Sequence, residues 1–417
     1  MYRVPGARWH RRGARRLPYL LLAGLVAALL AGPMTPGAVT PARAAPGCAS
    51  PPAPARPVPV ATPWAQQRYA PERLARLATG AGVTVAVVDS GVDLRHPQLA
   101  GRVLAGTDLL DVGGDGGLDC VGHGTGVASI IAATPRDGTS FRGLAPEARI
   151  LPVRVSEQQV VDGRGTGRTA APGDLGRAIR WAVDQGATVV NLSVVLYADH
   201  PTVRAAVGYA LSRDVVVVAA AGNLSDGGER RPYPARYDGV LGVGAIGVDG
   251  ARADFSQTGD HVDLVAPGVD VLIAAPGRGH RSADGTSYAV PFVAATAALL
   301  RQYRPDLSAV EVARRIIATA DPAPGGGYGA GVLNPYRAVT EAGSVPGHAR
   351  PVAGLAEDRP DPTLLARQDR RSDAWRRALL LAGVGVPMAA AVVLAAAVLP
   401  RGARRRWRPA HHDHDAG

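Results

Sequence analysis

Residues 82–93 read GVTVAVVDSGVD, and this stretch decides the fold class. It is a continuous apolar run that ends at Asp89, and such runs are typical of strands buried on both faces of a parallel sheet. Further along the chain, helix-like spacing in DLGRAIRWAVDQG (174–186) is followed by another apolar run, ATVVNLSVV (187–195). This alternation predicts an α/β domain with a mostly parallel central sheet and helices on both faces.

The residues outside the domain predict a single-pass protein of the cell membrane with its domain outside the cytoplasm. The first 44 residues have a basic stretch, the apolar run LPYLLLAGLVAALLAG and the small residues ARA, as an export signal does. An uncleaved anchor fits the same residues. Residues 378–399 are uncharged and would span roughly 33 Å as a helix, enough to cross a bilayer, although a buried helix of a soluble fold is the alternative. The predicted parts are a signal peptide (1–44), a proline-rich N-terminal extension (45–75), the globular domain (76–342), a stem linker (343–377), a transmembrane helix (378–399) and a basic cytoplasmic tail (400–417).

The net charge of +11 lies almost entirely at the two ends of the chain. The first 44 residues contain seven arginines and no acid, and residues 400–417 contain five arginines and two aspartates. The domain between them is therefore nearly neutral, which argues against a nucleic-acid-binding face.

Three short motifs place catalytic residue types at the ends of predicted elements. Asp89 ends the apolar strand, GHGTGVAS (122–129) places His123 at a helix start, and DGTSYAVPFVAATAALL (284–300) places Ser287 at another. A nucleophilic serine needs a base to take its proton, and the base needs a carboxylate to orient it. Each motif alone is equally typical of a turn or a helix cap. Together, in the order Asp, His, Ser, they follow the order found in subtilisin.

Over roughly residues 80–340 the chain resembles the subtilases, the subtilisin-like serine proteases. Besides the three motifs, VVVVAAAGN (215–223) resembles the family segment that carries the oxyanion-hole asparagine, which implies that role for Asn223. Three further segments match family segments, RGLAPEARILPVRV, YPARYDGVLGVGAI and FSQTGDHVDLVAPG. The resemblance implies a serine endopeptidase that acts on protein substrates and needs no cofactor or metal for its chemistry.

One departure from the family pattern concerns the substrate pocket. In subtilases, glycines usually follow the serine of the segment that matches NLSVV, and they form a wall of the pocket. Here Val194 and Val195 follow Ser193, so these three residues are the predicted substrate-binding wall. Branched side chains should narrow the pocket, which favours a restricted set of substrates over a general exoprotease.

The order of segments resembles mycosins, the membrane-anchored subtilases of type VII secretion systems. This resemblance implies the secretion membrane complex as a partner, and it leaves open a structural role in that complex with catalysis secondary. It also implies a disulfide between Cys48 and Cys120, the only two cysteines. From the residues alone, Cys120 beside His123 is also compatible with a metal site, a reactive thiol or a free buried thiol, and Cys48 with lipidation.

Three polar segments remain open in function. The acidic loop DLLDVGGDGGLD (108–119) is a candidate calcium site through Asp108, Asp111, Asp115 and Asp119, or a solvated loop. HHDHD (411–415) is a candidate metal site or a plain tail. The polar insertion of residues 156–174 either gates the cleft, binds a partner, or is merely tolerated.

Overall fold

The computed structural model describes residues 61–161, 164–225 and 230–341 of the 417-residue chain. The helices in this part are α1 (Trp64–Tyr69), α2 (Pro71–Leu74), α3 (His123–Ala132), α4 (Pro172–Asp184), α5 (Pro201–Ser212), α6 (Thr286–Tyr303), α7 (Ala309–Ala318) and α8 (Pro335–Thr340). The strands are β1 (Thr84–Asp89), β2 (Thr107–Asp108), β3 (Arg149–Arg154), β4 (Gln159–Val161), β5 (Arg164–Thr166), β6 (Val189–Leu192), β7 (Val216–Ala220), β8 (Leu241–Ile246), β9 (Leu264–Pro267), β10 (Val271–Ala274) and β11 (His280–Ala283).

Seven parallel strands form the central sheet, in the order β2-β3-β1-β6-β7-β8-β9. Strand β1 lies near its middle, with Val85 paired to Ile150 of β3 and to Val189 of β6. The pairs β4–β5 and β10–β11 are antiparallel hairpins outside this sheet. The prediction of a mostly parallel α/β sheet is confirmed, and parallel pairing brings the carboxyl ends of the strands to one edge.

Helices cover both faces of the sheet. Along β1, Val85 and Val87 belong to a core with helices α3 and α6, whereas Ala86 and Val88 belong to a second core with α4 and α5. Because successive side chains of a strand point to opposite faces, an all-apolar strand needs cover on both sides. Helix α6 is buried continuously from Thr286 to Leu300, so the helix that begins beside Ser287 runs through the first core.

The structure adds elements that the sequence pattern did not predict. The insertion 156–174 contains the hairpin β4–β5, and its end belongs to α4, which begins at Pro172 rather than at Asp174. Proline suits the first turn of a helix because its missing N–H has no partner there in any case. Strands β9, β10 and β11 have only four residues each, too few for periodicity to identify.

Part of the predicted N-terminal extension packs on the domain. Helix α1 buries Ala65 and Tyr69, and the Tyr69 ring lies 5.4 Å from that of Phe292 on α6. The Trp64 indole N–H donates to the carbonyl oxygen of Val269 at 3.2 Å. The segment before α1 lies outside the described residues.

The predicted signal peptide, stem, transmembrane helix and basic tail also lie outside the described residues, as does HHDHD (411–415). In the part that the structure does describe, none of the helices combines the length and apolarity needed to span a membrane.

A network of charged side chains holds the base of the hairpin β4–β5. Arg154, fully buried at the end of β3, donates from Nη1 to Asp108 Oδ2 (2.5 Å) and Asp111 Oδ2 (2.9 Å) and also pairs with Glu157. Arg168 binds Asp111 (2.9 Å) and Glu157 (2.7 Å). The hydrogen bond from Arg168 is the main reason why the pKa values of both Asp111 and Glu157 are lowered. The carboxylates of Asp108 and Asp111 therefore bind guanidinium groups, which argues against the calcium interpretation.

We predict that Arg154→Met lowers the free energy of unfolding by about 3–5 kcal/mol, because the buried carboxylate of Asp108 loses its cation. Denaturant titration of the full chain measures the change. The control is Arg177→Gln, which removes an exposed guanidinium paired with Asp174 and should change stability by less than about 1 kcal/mol. Equal stability of the two variants would contradict the prediction.

Candidate active site

The structure brings Asp89, His123 and Ser287 together at the carboxyl edge of the sheet. Asp89 is the last residue of β1, His123 the first of α3 and Ser287 the second of α6. Asp89 Oδ1 lies 2.7 Å from His123 Nδ1, and His123 Nε2 lies 2.8 Å from Ser287 Oγ. Both imidazole nitrogens are thus hydrogen-bonded, in the arrangement that passes a serine proton to a histidine held by a carboxylate.

Local backbone geometry sets the contact between β1 and α3. A Cβ atom on Gly124 would lie 2.1 Å from the carbonyl oxygen of Gly91 and 3.2 Å from Asp89 Oδ1. Only glycine at this position lets the first turn of α3 approach the strand end closely enough for His123 to reach Asp89. The N–H of Ser90 also donates to Asp89 Oδ1 at 2.6 Å, which fixes the carboxylate.

The environment of His123 favours its protonated form. Burial by itself lowers the pKa of the imidazole, but the charge and hydrogen bond of Asp89 outweigh burial, and the pKa is raised from its ordinary value. The charge of Asp119 raises it further, and that of Arg281 opposes it. The Tyr288 ring lies 4.9 Å from the imidazole, and burial raises the Tyr288 pKa to about 12, so that phenol stays neutral.

Asn223 faces the start of α6 with its side-chain amide. Its Oδ1 accepts from the N–H of Thr286 (2.9 Å) and from the Thr286 hydroxyl (2.8 Å), which leaves Nδ2 as a donor. A Cβ placed on Gly285 would lie 3.4 Å from Asn223 Nδ2 and 3.0 Å from Ser287 Oγ, so the space between these two atoms is open. The backbone N–H of Ser287, in the first turn of α6, has no acceptor among the described residues. Two donors therefore border the space next to the serine oxygen, as an oxyanion hole requires.

The predicted substrate-wall residues follow β6, beside the serine. The Ser193 hydroxyl donates to the carbonyl oxygen of Ser287 (2.9 Å) and accepts from Asn191 Nδ2 (2.9 Å), so it supports the nucleophile's backbone. Val194 and Val195 are half-buried and pack against the two cores on opposite faces of the sheet. Their contact with a substrate stays a prediction.

Asp119 belongs to the site, although the sequence placed it only in the candidate calcium loop. Its buried carboxylate accepts from the Ser90 hydroxyl (2.8 Å), the N–H groups of Val121 (3.1 Å) and Gly122 (2.7 Å), and both the N–H (2.8 Å) and hydroxyl (2.6 Å) of Thr125. It therefore ties the loop after β1 to the first turn of α3. Its position four residues before His123 was the available signal.

The cysteine next to the histidine is buried and is not a free thiol. Cys48 lies outside the described residues, so the pairing of Cys48 with Cys120 stays a prediction. The metal interpretation finds no support in the described residues, where no group of three or more His, Cys, Asp or Glu side chains is arranged to hold an ion. His123 has both ring nitrogens engaged by Asp89 and Ser287.

Comparison with known proteins agrees with this geometry. Residues 80–338 match the model of the Subtilase family. The chain is 41% identical over 261 residues to a thermophilic serine proteinase of Bacillus sp. (strain AK1), in a match that covers 62% of each chain. It is 34% identical to Mycosin-1 of Mycolicibacterium smegmatis, covering 67% of this chain and 72% of that one. A solved structure of the serine protease MycP1, described as an essential component of the type VII (ESX-1) secretion system, has a TM-score of 0.59 at 33% identity, covering 71% of this chain and 97% of that one.

The open space beside Ser287 yields a first prediction for the site. Gly285→Ala should lower kcat for peptide cleavage at least about a hundredfold, because the added methyl group fills the space between Ser287 Oγ and Asn223 Nδ2. Gly285 has φ +145°, so the variant should also lose about 1–3 kcal/mol of stability. The control is Gly277→Ala, which has φ +84° but nothing within 4 Å of the new Cβ. Steady-state kinetics and denaturant titration measure the two effects, and equal kcat in both variants would contradict the prediction.

Asp119 yields a second prediction. The pKa of His123 is raised above the ordinary histidine value of about 6.5, so kcat/KM should begin to fall on acidification while the pH is still above about 6.5. The fall is expected because the protonated imidazole cannot act as a base. Asp119→Asn removes a negative charge near the imidazole, so the acid limb of the pH–rate profile should move to lower pH. The control is Asp115→Asn, whose carboxylate accepts from the N–H of Gly117 in the same loop and from no other donor among residues 61–161, 164–225 and 230–341. An acid limb at the same pH in Asp119→Asn and wild type would show that Asp119 does not act on His123.

Proposed function

The chain belongs to the subtilase family of serine endopeptidases and is of the mycosin type, and from this premise we propose that it is a membrane-anchored extracytoplasmic peptidase that cleaves a restricted set of proteins secreted by a type VII system. The observation that carries the proposal is the hydrogen-bonded line from Asp89 through His123 to Ser287.

In the proposed mechanism, Ser287 Oγ attacks the carbonyl carbon of the scissile bond while His123 Nε2 accepts the hydroxyl proton. Asp89 holds the Nδ1–H tautomer and stabilises the imidazolium that forms. The imidazolium then donates the proton to the leaving amine, and a water molecule repeats the sequence on the acyl-enzyme. The raised pKa of His123 supports this role, because it makes the imidazole a stronger base at neutral pH.

The negative oxygen of the tetrahedral intermediate is stabilised by Asn223 Nδ2 and the backbone N–H of Ser287. Thr286 holds the Asn223 side chain through two hydrogen bonds, so the donor is oriented before the substrate arrives. Donors that need no reorganisation contribute most in such sites, and loss of one costs on the order of a hundred- to a thousandfold in rate.

A restricted substrate set and an anchored location complete the proposal. Val194 and Val195 in place of the family's usual glycines support a narrow pocket. The export signal (1–44) and the uncharged segment 378–399 support a domain held at the outer face of the cell membrane. Likeness to Mycosin-1 and MycP1 supports secreted proteins as substrates and a type VII membrane complex as the partner.

A structural role in the secretion complex is a second candidate function. The related protease MycP1 is described as an essential component of its secretion system. That description supports a role for this chain in the complex in addition to peptide hydrolysis. The membrane segment supports the same candidate, because peptide hydrolysis itself needs no anchor.

We predict that Ser287→Ala abolishes peptidase activity without unfolding the protein, because the change removes one oxygen atom from a helix that has no side-chain cap there. A fluorophosphonate probe should label the wild-type chain at Ser287 and leave the variant unlabelled. Labelling of the variant, or an unlabelled wild type that is folded and cleaves no peptide, would overturn the proposed function.

The same variant separates enzyme from scaffold in cells. We expect a deletion strain to lose secretion and a Ser287→Ala strain, with the variant present at the wild-type level, to keep it with substrates left uncleaved. Equal loss of secretion in both strains would refute the structural role and leave the enzymatic one.

A further inference from the structure

The hairpin formed by β10 and β11 packs against the start of the helix that carries His123, and it ends four residues before Ser287. A Cβ atom placed on Gly122, the residue before His123, would lie 2.8 Å from Cδ of Pro276 in the turn of the hairpin. Arg281 Nη2 on β11 donates to the carbonyl oxygen of Gly122 at 3.4 Å. The hairpin is therefore one of the surfaces that support the catalytic histidine.

Two buried histidines join this hairpin to the loop after β1. His96 Nε2 in that loop lies 3.2 Å from the carbonyl oxygen of Gly279 in the hairpin turn. His280 Nε2 on β11 lies 2.7 Å from Gln98 Oε1 in the same loop. The two imidazoles are 1% and 3% exposed, and their ring centres lie 5.9 Å apart. The ring of Phe141 lies 4.8 Å from that of His280, so the contact is closed by an aromatic side chain.

The hydrogen bonds require both imidazoles to be neutral. Gln98 Nε2 donates to the carbonyl oxygens of Thr134 (3.0 Å) and Phe141 (2.8 Å). Its Oε1 therefore faces His280 and can only accept, so His280 carries its proton on Nε2. The other nitrogen of His280, Nδ1, is buried and has no hydrogen-bond partner among the described residues. The backbone N–H of Gln98 donates to His96 Nδ1 at 3.3 Å, so His96 also carries its proton on Nε2.

A second proton on either ring would have no acceptor. On His280 it would sit on the buried Nδ1, and on His96 it would face the N–H of Gln98, so each cation would lose solvation without gaining a partner. Burial accordingly lowers the pKa of both histidines, that of His280 to about 4. The charge of Asp93 raises the pKa of His96 and that of Arg136 lowers it, whereas His96 lowers the pKa of His280.

Asp93 also holds the hairpin turn, but it does not titrate in the same range of pH. Its Oδ2 accepts from the N–H of Gly277 at 2.5 Å. Burial would raise the pKa of this carboxyl, but hydrogen bonds from the N–H groups of Gly277 and Arg95 outweigh burial, and the pKa is lowered. Among the described side chains that make this contact, the two histidines are therefore the groups that respond to mild acid.

We propose that His96 and His280 form an acid-sensitive latch, which as two neutral rings holds the hairpin against the loop after β1 and on protonation releases it from the start of α3. The sign follows from proton linkage. An open hairpin takes up protons near the ordinary histidine pKa of about 6.5, whereas the closed one resists them to lower pH, so acidification favours the open form. The release should develop as the pH falls from about 6.5 towards 4.

Hydrogen exchange of the full chain tests the latch where it acts. Between about pH 7 and pH 5, the protection of residues 275–283 should fall at least about tenfold after correction for the chemical exchange rate, because the open form binds the extra proton more tightly. Protection of α4, which packs in the other core, should stay within about twofold over the same range. An equal fall in the hairpin and in α4 would overturn the proposal.

A matched pair of variants assigns the effect to the latch. His280→Gln keeps an N–H donor for Gln98 but cannot titrate, so the fall in hairpin protection should shrink to about threefold or less. The control is His200→Gln, which removes a histidine that contacts Thr202 before α5 and should leave the wild-type fall unchanged. A fall in His280→Gln as large as in the wild type would overturn the proposal.

The wild-type protein gives a second measurement, which decides the question even where His280→Gln fails to fold. Nitrogen chemical shifts of the histidine rings should show two neutral rings protonated on Nε2 that persist below about pH 6, and their protonation should coincide with the loss of hairpin protection. Rings that protonate above about pH 6, or a hairpin that stays protected after they protonate, would overturn the proposal. Neither measurement uses peptidase activity, so failure here leaves the proposed function intact.

Discussion

The hydrogen bond between Asp89 and His123 is the constraint on which the arrangement of the site depends. It joins the end of a central strand to the first residue of a helix, and His123 then reaches Ser287 at the start of another helix. A parallel sheet makes this possible, because every strand delivers its carboxyl end to the same edge. Asp89, His123 and Ser287, which are spread over about half of the chain, therefore meet within hydrogen-bonding distance. The sequence between them can vary as long as the strands and helices that deliver them to this edge of the sheet are kept.

Buried charged side chains hold two of the loops at that edge. Asp119 accepts from five donors in the loop after β1, in the two residues before α3 and in the first turn of α3, and Arg154 binds three carboxylates at the base of the insertion. Buried ions of this kind add little net stability, since desolvation offsets their attraction, but the loss of one partner is costly. Their contribution is geometric: Asp119 holds the loop after β1 against the start of α3, and Arg154 holds the base of the insertion.

Sequence patterns predicted the sheet and the triad but not the network that positions them. The apolar run before Asp89 and the alternation of strands and helices are period-based signals, and they identified β1, β6, α4 and the general fold correctly. Short elements such as β10 gave no such signal. The sequence offered Asp119 only as part of a candidate calcium site or a solvated loop, because an acidic, glycine-rich stretch looks the same whether its carboxylates face an ion, solvent, a guanidinium or backbone N–H groups. Only the packing of Ser90 and Thr125 around it distinguishes these cases.

Negative charge is concentrated beside the catalytic histidine. Asp89 ends β1 and Asp119 lies before α3, and the charges of both raise the pKa of His123. The proposed substrate preference depends on other residues, Val194 and Val195, which follow β6. A narrow wall at these two valines would select substrates by size and leave unchanged the charges that set the basicity of His123. Specificity and catalysis would then depend on separate residues at the same edge of the sheet.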